Sequence, residues 1–341
     1  MNFEKIRIFW LAALITLIVA ALVWIYLGPQ AALIAGLLII LEITFSFENA
    51  VINAKTLSRL SHFWQQIFMT IGIAIAVFGM RIVFPLVLVA ITGQISVPAV
   101  LDLALNHPHE YSEQLESSMP TIAAFGSAFL MMVFLHYFIF ENKGKHWLKP
   151  FEGLIARLPK SWLTAPLLTL VVVLVVNGLL APQLFMTLVI AGVMGIVTHM
   201  LISGLITVLE HRGLAKSGAL LTGWAGFAGF LYLEVLDASF SFDGVIGAFA
   251  ITDSVILIAA GLGAGAVWVR SMTVYLVRHK TLAKYVFLEQ GAHYAIGLLA
   301  IVLLLNSKVH VPEVVTGLAG VGIIIVALIA SKRLAPQVER I

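Results

Sequence analysis

Long apolar runs follow one another along almost the whole chain, separated by short polar connections. Ten windows are long enough to cross a bilayer as helices, because about 20 apolar residues span its hydrocarbon core. They cover residues 8–28, 31–53, 64–92, 120–141, 162–181, 183–209, 218–250, 254–277, 284–305 and 313–331. The seventh window is too long for one straight span, so we expect it to tilt, break or begin outside the bilayer. The pattern predicts an all-α polytopic membrane protein with about ten transmembrane helices.

The composition indicates that the protein is surrounded mainly by the lipid bilayer. Hydrophobic residues make up 61% of the chain and charged residues 11%, whereas a soluble chain carries roughly 25% charged residues. The first apolar run leads directly into the second, so we interpret it as a spanning helix and not as a cleaved signal peptide. Cysteine is absent, which excludes disulfides and thiolate metal sites. The net charge of +3 gives no reason to expect a nucleic-acid partner.

Basic residues collect in alternate loops of the ten-helix path, as they do on the cytoplasmic side of membrane proteins. The N-terminus, every second loop and the C-terminus hold all but three of the 20 Lys and Arg residues. The exceptions are Arg81 and Arg270, which lie inside windows, and Lys308. We therefore predict a protein integral to the cell (inner) membrane with both termini in the cytoplasm.

An eight-residue pattern occurs twice, at an offset of 195 residues. The first signature is 42–49, Glu-Ile-Thr-Phe-Ser-Phe-Glu-Asn, and the second is 237–244, Asp-Ala-Ser-Phe-Ser-Phe-Asp-Gly. They lie in the second and seventh windows, and a separation of five spans makes them antiparallel. Antiparallel copies are typical of inverted-topology repeats, which place a transport site near the bilayer midplane. We expect one membrane domain over 1–341, divided into repeats at 1–182 and 183–341.

The window after each signature contains one arginine, Arg81 in the third and Arg270 in the eighth. Five carboxylates lie in the two signature windows. They are Glu42, Glu48, Glu234, Asp237 and Asp243. One acid at the bilayer centre costs roughly 2.5–3.5 kcal/mol to insert, so these groups should face each other, water, a cation or the two arginines.

Helical spacing divides the acids into two sets. Glu42, Ser46 and Asn49 follow one another at spacings of four and three residues and so share a face. The second signature repeats this face with Asp237, Ser241 and Gly244. Glu234, three residues before Asp237, lies on the same face. Glu48 and Asp243 lie off this face on an ideal helix and would join it only through local unwinding.

The two glycines of the second copy, Gly244 and Gly247, would permit such unwinding. An all-oxygen ligand set suits Mg²⁺, Ca²⁺ or Mn²⁺. The alternative is that the acids pair with Arg81 and Arg270 and only orient helices. We expect those arginines to act as ion-pair partners or as gates.

Other intramembrane polar residues are weaker candidates. Glu289 and His293 are four residues apart and share a helix face, so they could form a proton relay or an accessory ligand pair. An ordinary polar contact is at least as good an interpretation. His136 and His199 are lone intramembrane histidines, for which hydrogen-bonded core positions are the simpler expectation.

At the two signatures the sequence resembles the TerC-like integral membrane proteins, and in particular a TerC-related subgroup. The wider superfamily includes LysE-type exporters and acidic-motif cation exporters. TerC-like proteins have Asp-Asn where this chain has Glu48-Asn49, and the second copy has Gly244 in place of the asparagine. The resemblance implies export of a divalent metal, chiefly manganese, with a link to tellurium-compound resistance. It also implies a set of metal-site residues. These are Glu42, Glu48, Asn49, Asp237 and Asp243.

Our leading functional expectation is a secondary transporter that exports a divalent cation, chiefly Mn²⁺ with Ca²⁺ or Mg²⁺ as alternatives, in exchange for protons. The chain has no Walker A motif, nucleophile motif or zinc-protease motif, so we expect neither an enzyme, nor catalytic residues, nor a bound cofactor. Two rivals stay open: a membrane scaffold with a structural metal site, and an exporter of amino acids or other small organic solutes. A homo-oligomer is compatible with the sequence.

Overall fold

The computed structural model consists of helices and describes residues 3–141, 146–209, 220–249, 251–306, 308–309 and 311–338. The helices of the first 140 residues are α1 (Phe3–Leu27), α2 (Pro29–Phe45), α3 (Phe47–Arg59), α4 (His62–Ala74), a π-helical segment (Ile75–Val83), α5 (Phe84–Gly93), α6 (Val97–Asn106) and α7 (Pro108–Phe140). Those that follow are α8 (Lys149–Ile155), α9 (Thr164–Leu180), a 3₁₀ turn (Pro182–Leu184), α10 (Phe185–Leu209), α11 (Gly223–Phe249), α12 (Val255–Arg278), α13 (Thr281–Lys284), α14 (Leu288–Leu305) and α15 (Glu313–Val338).

The predicted polytopic, all-α class is confirmed. Among the described residues, seven helices are long and apolar enough to cross a membrane, and the count rises to eight if the bent pair α2–α3 is one span. Two of the ten predicted windows contain helices that lie outside this set. The helix Thr164–Leu180 has 17 residues and is slightly too short, and α11 carries the acids of the second signature. The structure therefore supports seven or eight spans.

The chain forms two compact units, each made of two separate stretches of sequence. The first unit contains Met1–Met119 and Leu214–His279, and the second contains Pro120–Gly213 and Lys280–Ile341. The first unit thus takes one stretch from each predicted repeat, whereas the stretch Pro120–Gly213 of the second unit crosses the predicted boundary between the repeats. Both signatures and both intramembrane arginines belong to the first unit.

Helix α12 is central to the first unit, where it packs against α1, α2, α3, the π-helical segment and α11. Its glycines allow backbones to approach closely, as small residues do in membrane helix pairs. A methyl group on Gly261 would lie 2.6 Å from Cβ of Leu38 in α2. One turn later, a methyl group on Gly265 would lie 2.5 Å from Cβ of Glu42. This contact brings α12 directly behind the first signature.

The second unit contains α8 to α10, α14, α15 and the part of α7 that begins at Pro120. Helix α14 packs against α15 and α9. Inside this unit, Glu152 is buried and accepts hydrogen bonds from the backbone of Trp147 and Leu148 and from the hydroxyl of Tyr294, all at 3.1 Å. His146 contacts its other oxygen at 2.6 Å. These contacts satisfy the Glu152 carboxylate locally.

Candidate acidic site between the two signatures

The first signature interrupts its helix. Helix α2 ends at Phe45, α3 begins at Phe47, and the two helices meet at Ser46 with a bend of 54°. Ser46 leaves helical geometry, with φ of −100° and ψ of 18°. The break places Glu48 in the first turn of α3, where the helix dipole favours a negative charge. A transmembrane helix with such a break is a common element of ion sites.

The second signature does not interrupt its helix, because α11 runs without a break from Gly223 to Phe249. The unwinding that Gly244 and Gly247 would permit therefore does not occur in this structure. Gly244 has a different structural role: a methyl group there would lie 3.3 Å from Oε2 of Glu42. The missing side chain lets α11 approach the first signature closely.

The two signatures contact each other crosswise. Nδ2 of Asn49 donates a hydrogen bond of 2.7 Å to Oδ1 of Asp237, which joins the eighth position of the first signature to the first position of the second. Glu42 and Gly244 make the reciprocal approach. Residue numbers rise along one signature as they fall along the other, so the two segments run in opposite directions.

Arg81 neutralises Glu42. Its Nη2 lies 2.5 Å from Oε1 of Glu42, and its Nη1 donates to the carbonyl oxygen of Ala76 at 2.8 Å. Ser46 also donates to Oε1 of Glu42, at 3.2 Å. Arg81 lies in the π-helical segment, a conformation that occurs frequently at functional sites. The pair is buried on both sides, with Arg81 3% and Glu42 5% exposed.

Arg270 holds the two acids of α11. Its Nη1 donates to Oε1 of Glu234 at 3.1 Å, and its Nη2 donates to Oε2 of Glu234 at 3.1 Å and to Oδ2 of Asp237 at 3.0 Å. Nη1 also donates to the carbonyl oxygen of Phe68 at 3.1 Å, and the guanidinium lies 4.1 Å from the centroid of the Phe68 ring. Gly72 makes room for this arrangement, because a methyl group there would lie 2.5 Å from Nη1.

Three oxygen atoms of α3 and α11 are buried and have no hydrogen-bond partner within the described part of the chain. They are Oδ1 of Asn49, Oδ1 of Asn53 and Oγ of Ser241. Asn53 follows Asn49 by one helical turn, and Ser241 follows Asp237 by one turn. Each of the three residues is less than 9% exposed. A buried acceptor without a partner is costly unless a ligand, ion or water satisfies it.

The structure buries four of the five predicted ligands. Glu42, Glu48, Asn49 and Asp237 are all buried in the first unit. The side chain of Asp243 lies outside the described residues. Among the residues that are described, no three of the His, Asp and Glu side chains come close enough to hold a metal ion together. In this arrangement Arg81 pairs with Glu42, and Arg270 pairs with Glu234 and Asp237.

The accessory candidates have separate environments. Glu289 and His293 belong to the second unit, where Nδ1 of His293 lies 2.8 Å from the backbone oxygen of Glu289. The His293 ring stacks on Tyr137 with ring centroids 3.6 Å apart. His136 and His199, in the same unit, have ring centroids 5.7 Å apart. Within the predicted Glu289–His293 pair, the structure shows a contact from the His293 side chain to the Glu289 backbone.

Sequence reasoning missed the residues that clamp Arg270. The backbone oxygen and ring of Phe68 carry no chemical signal in the sequence, because an apolar phenylalanine in a membrane helix is unremarkable. Gly72 gave a faint signal as a glycine inside an apolar window. The break at Ser46 had no glycine or proline to mark it.

The fold and the buried acid–arginine cluster define an all-α integral membrane protein with several apolar spans and an intramembrane polar site. The chain belongs to the family described as "Protein of unknown function (DUF475)", whose model matches residues 47–336. That match covers the second signature, both arginines and the last three residues of the first signature. No curated protein and no solved structure matches the chain. The family match provides no link to TerC-like proteins, so that resemblance stays a prediction.

Proposed function

We propose that this protein is a secondary transporter that exports a divalent cation, chiefly Mn²⁺, through the acidic site of the first unit. The observation that carries the proposal is the group of buried oxygens on Asn49, Asn53 and Ser241 that have no partner among the described residues, together with the hydrogen bond that joins Asn49 to the carboxylate of Asp237. Neutral and charged oxygens together are the ligands that hard divalent cations prefer. The resemblance of the signatures to TerC-like proteins supports Mn²⁺ as the first ion to test.

The proposed architecture is ten spans in two inverted repeats, 1–182 and 183–341, with both termini in the cytoplasm. The crosswise contacts of Asn49 with Asp237 and of Glu42 with Gly244 support it, because each contact is converted into the other when the repeats are exchanged. The two arginines support it as well, since each pairs with the leading acid of the signature in its own repeat.

Charge supports a cation as the substrate. Glu42, Glu234 and Asp237 are three buried acids that share two buried arginines, so this set alone has one excess negative charge. A break such as that between α2 and α3 offers helix ends whose carbonyls coordinate cations in transporters. A cation that enters this site must compete with a guanidinium group for its carboxylate.

Energy coupling follows from the membrane potential. Expelling a dication against a potential of 100 mV costs about 4.6 kcal/mol, at about 2.3 kcal/mol for each charge. Exchange for two protons would cancel this electrical cost. We therefore propose proton-coupled export, with the lipid bilayer, the metal ion and protons as the partners of the protein.

The test is Mn²⁺ efflux from loaded proteoliposomes that contain the purified protein. The variants Glu42→Gln and Asp237→Asn should reduce efflux to the level of empty liposomes, because each removes a charged ligand. The exposed Glu113→Gln serves as the matched control and should transport at the wild-type rate, since its side chain is 69% exposed. Wild-type efflux that survives in both site variants would overturn the site.

A scaffold protein is the second candidate, and one observation favours it. The arginines already neutralise Glu42 and Asp237, which is what a purely structural ion-pair network would show. A wild-type protein that moves no Mn²⁺, Ca²⁺ or Mg²⁺ in the same liposomes would favour the scaffold. Transport of lysine under those conditions would instead identify an exporter of organic solutes.

A further inference from the structure

We propose that the two arginines of the acidic site have different roles, and this inference rests on the proposed function. Arg81 is an exchangeable counter-ion of Glu42, which the transported cation displaces. Arg270 is a fixed counter-ion that stays with Glu234 and Asp237 throughout. The two residues lie in the helices that follow the two signatures, so their contacts and the backbone around them, not their places in the sequence, distinguish them.

Arg270 is fixed by contacts of both terminal nitrogens of its guanidinium and of one of its faces. It donates four hydrogen bonds, two to Glu234, one to Asp237 and one to the carbonyl oxygen of Phe68. The Phe68 ring covers one of its faces at 4.1 Å, and Gly72 packs closely beside Nη1. A bidentate, stacked arginine is a rigid arrangement. Displacing it would expose two buried carboxylates at once.

Arg81 is held by fewer contacts. Among the described residues it donates one hydrogen bond to a carboxylate, on Glu42, and one to the carbonyl oxygen of Ala76. Its departure would leave one carboxylate without its counter-ion, and Oε2 of that carboxylate faces Gly244 of α11. Glu42 also borders the helix break at Ser46, from which it accepts a hydrogen bond.

The backbone beneath Arg81 offers a way for it to move. The segment Ile75–Val83 is π-helical, and Arg81 caps the carbonyl of Ala76, five residues earlier. A π-helical turn is a local departure from the α-helical register of the helices on either side. Return to the α register would rotate Arg81 about the helix axis and carry its guanidinium away from Glu42. Helix α12, by contrast, is α-helical throughout and gives Arg270 no equivalent freedom.

The size of the expected effect follows from competition. A site that is competent in only a fraction of molecules binds its ligand more weakly by that fraction, so a state populated at about 10% weakens binding about tenfold. Removing Arg81 makes every molecule competent. Arg81→Gln should therefore bind Mn²⁺ about tenfold more tightly than the wild type.

The experiment is equilibrium binding of Mn²⁺ to the full-length protein in detergent, for wild type, Arg81→Lys and Arg81→Gln. Affinity should rise in that order, because lysine keeps the charge but cannot bridge Ala76 and Glu42 with a planar fork. The exposed Arg157→Gln is the control for a general loss of positive charge and should bind as the wild type does. If Arg81→Gln fails to fold, Arg81→Lys decides the question alone.

The two proposals fail in different ways. If the wild-type protein binds no Mn²⁺, the proposed function is wrong. If the wild type binds Mn²⁺ and the Arg81 variants bind it equally or more weakly, the function stands and the exchangeable role of Arg81 is wrong. A higher affinity in the Arg157 control, equal to that of the Arg81 variants, would also overturn the inference.

Discussion

The first signature ends one helix and begins another, whereas the second lies inside one continuous helix. Both contain the same order of acid, hydroxyl, phenylalanine, serine, phenylalanine and acid. In the first, the hydroxyl of Ser46 binds Glu42, and in the second the equivalent Ser241 has no partner among the described residues. The two signatures thus share a sequence pattern but differ in backbone conformation, since one lies at a helix break and the other inside a helix. Arg81, which pairs with the signature that interrupts its helix, donates two hydrogen bonds among the described residues. Arg270, which pairs with the signature inside a continuous helix, donates four.

The largest expected effect tests whether the stability of the protein depends on Arg270, the arginine that pairs with the second signature. Arg270→Gln leaves Glu234 and Asp237 buried without their cation, and breaking a buried pair in this way costs about 3–5 kcal/mol. Thermal unfolding of the purified protein in detergent should show a large fall in melting temperature. Arg278→Gln, at the exposed end of the same helix, is the control and should melt within a degree or two of the wild type. A native melting temperature for Arg270→Gln would show that the clamp is dispensable.

A smaller effect tests the packing behind the broken copy. Gly265→Ala places a methyl group 2.5 Å from Cβ of Glu42, and overpacking of this kind costs about 1–3 kcal/mol. Gly36→Ala is the matched control in α2, because a methyl group there meets nothing within 4 Å. The control should be neutral or gain up to about 1 kcal/mol, as alanine is the better helix former. Equal melting temperatures for the two variants would contradict the close approach of α12 to α2.

The smallest effect compares the two equivalent serines directly. Ser46→Ala removes a hydrogen bond of 3.2 Å, longer than is usual between two oxygens, and should cost about 0.5–1.5 kcal/mol, as an ordinary hydrogen bond does. Ser241→Ala removes a buried hydroxyl without a partner and should be neutral or slightly stabilising. Under the proposed function, Ser241→Ala should nonetheless weaken Mn²⁺ binding. A clear loss of stability in Ser241→Ala, matching that of Ser46→Ala, would mean that the two copies are more alike than the structure indicates.

The sequence predicted the helical class, and it predicted the two arginines as ion-pair partners or gates, because both predictions depend on the cost of placing charge in lipid. Which acid each arginine meets, Glu42 for Arg81 and Asp237 for Arg270, came only from the structure. The break at Ser46 could not be predicted, because no glycine or proline marks it. The division into two units was equally hidden, since it depends on contacts between residues far apart in the chain. The predicted ligand role of Asp243 stays a prediction.

The crosswise contact between the signatures can form only after both signatures have been synthesised. Asn49 and Asp237 are 188 residues apart. Because synthesis proceeds at about 5–20 residues per second, Asp237 is synthesised roughly 10–40 s after Asn49. Glu42 waits far less, because Arg81 follows it by 39 residues. The partner that neutralises Glu42 is therefore synthesised long before the second signature, which reaches Asn49 only when most of the chain has been made.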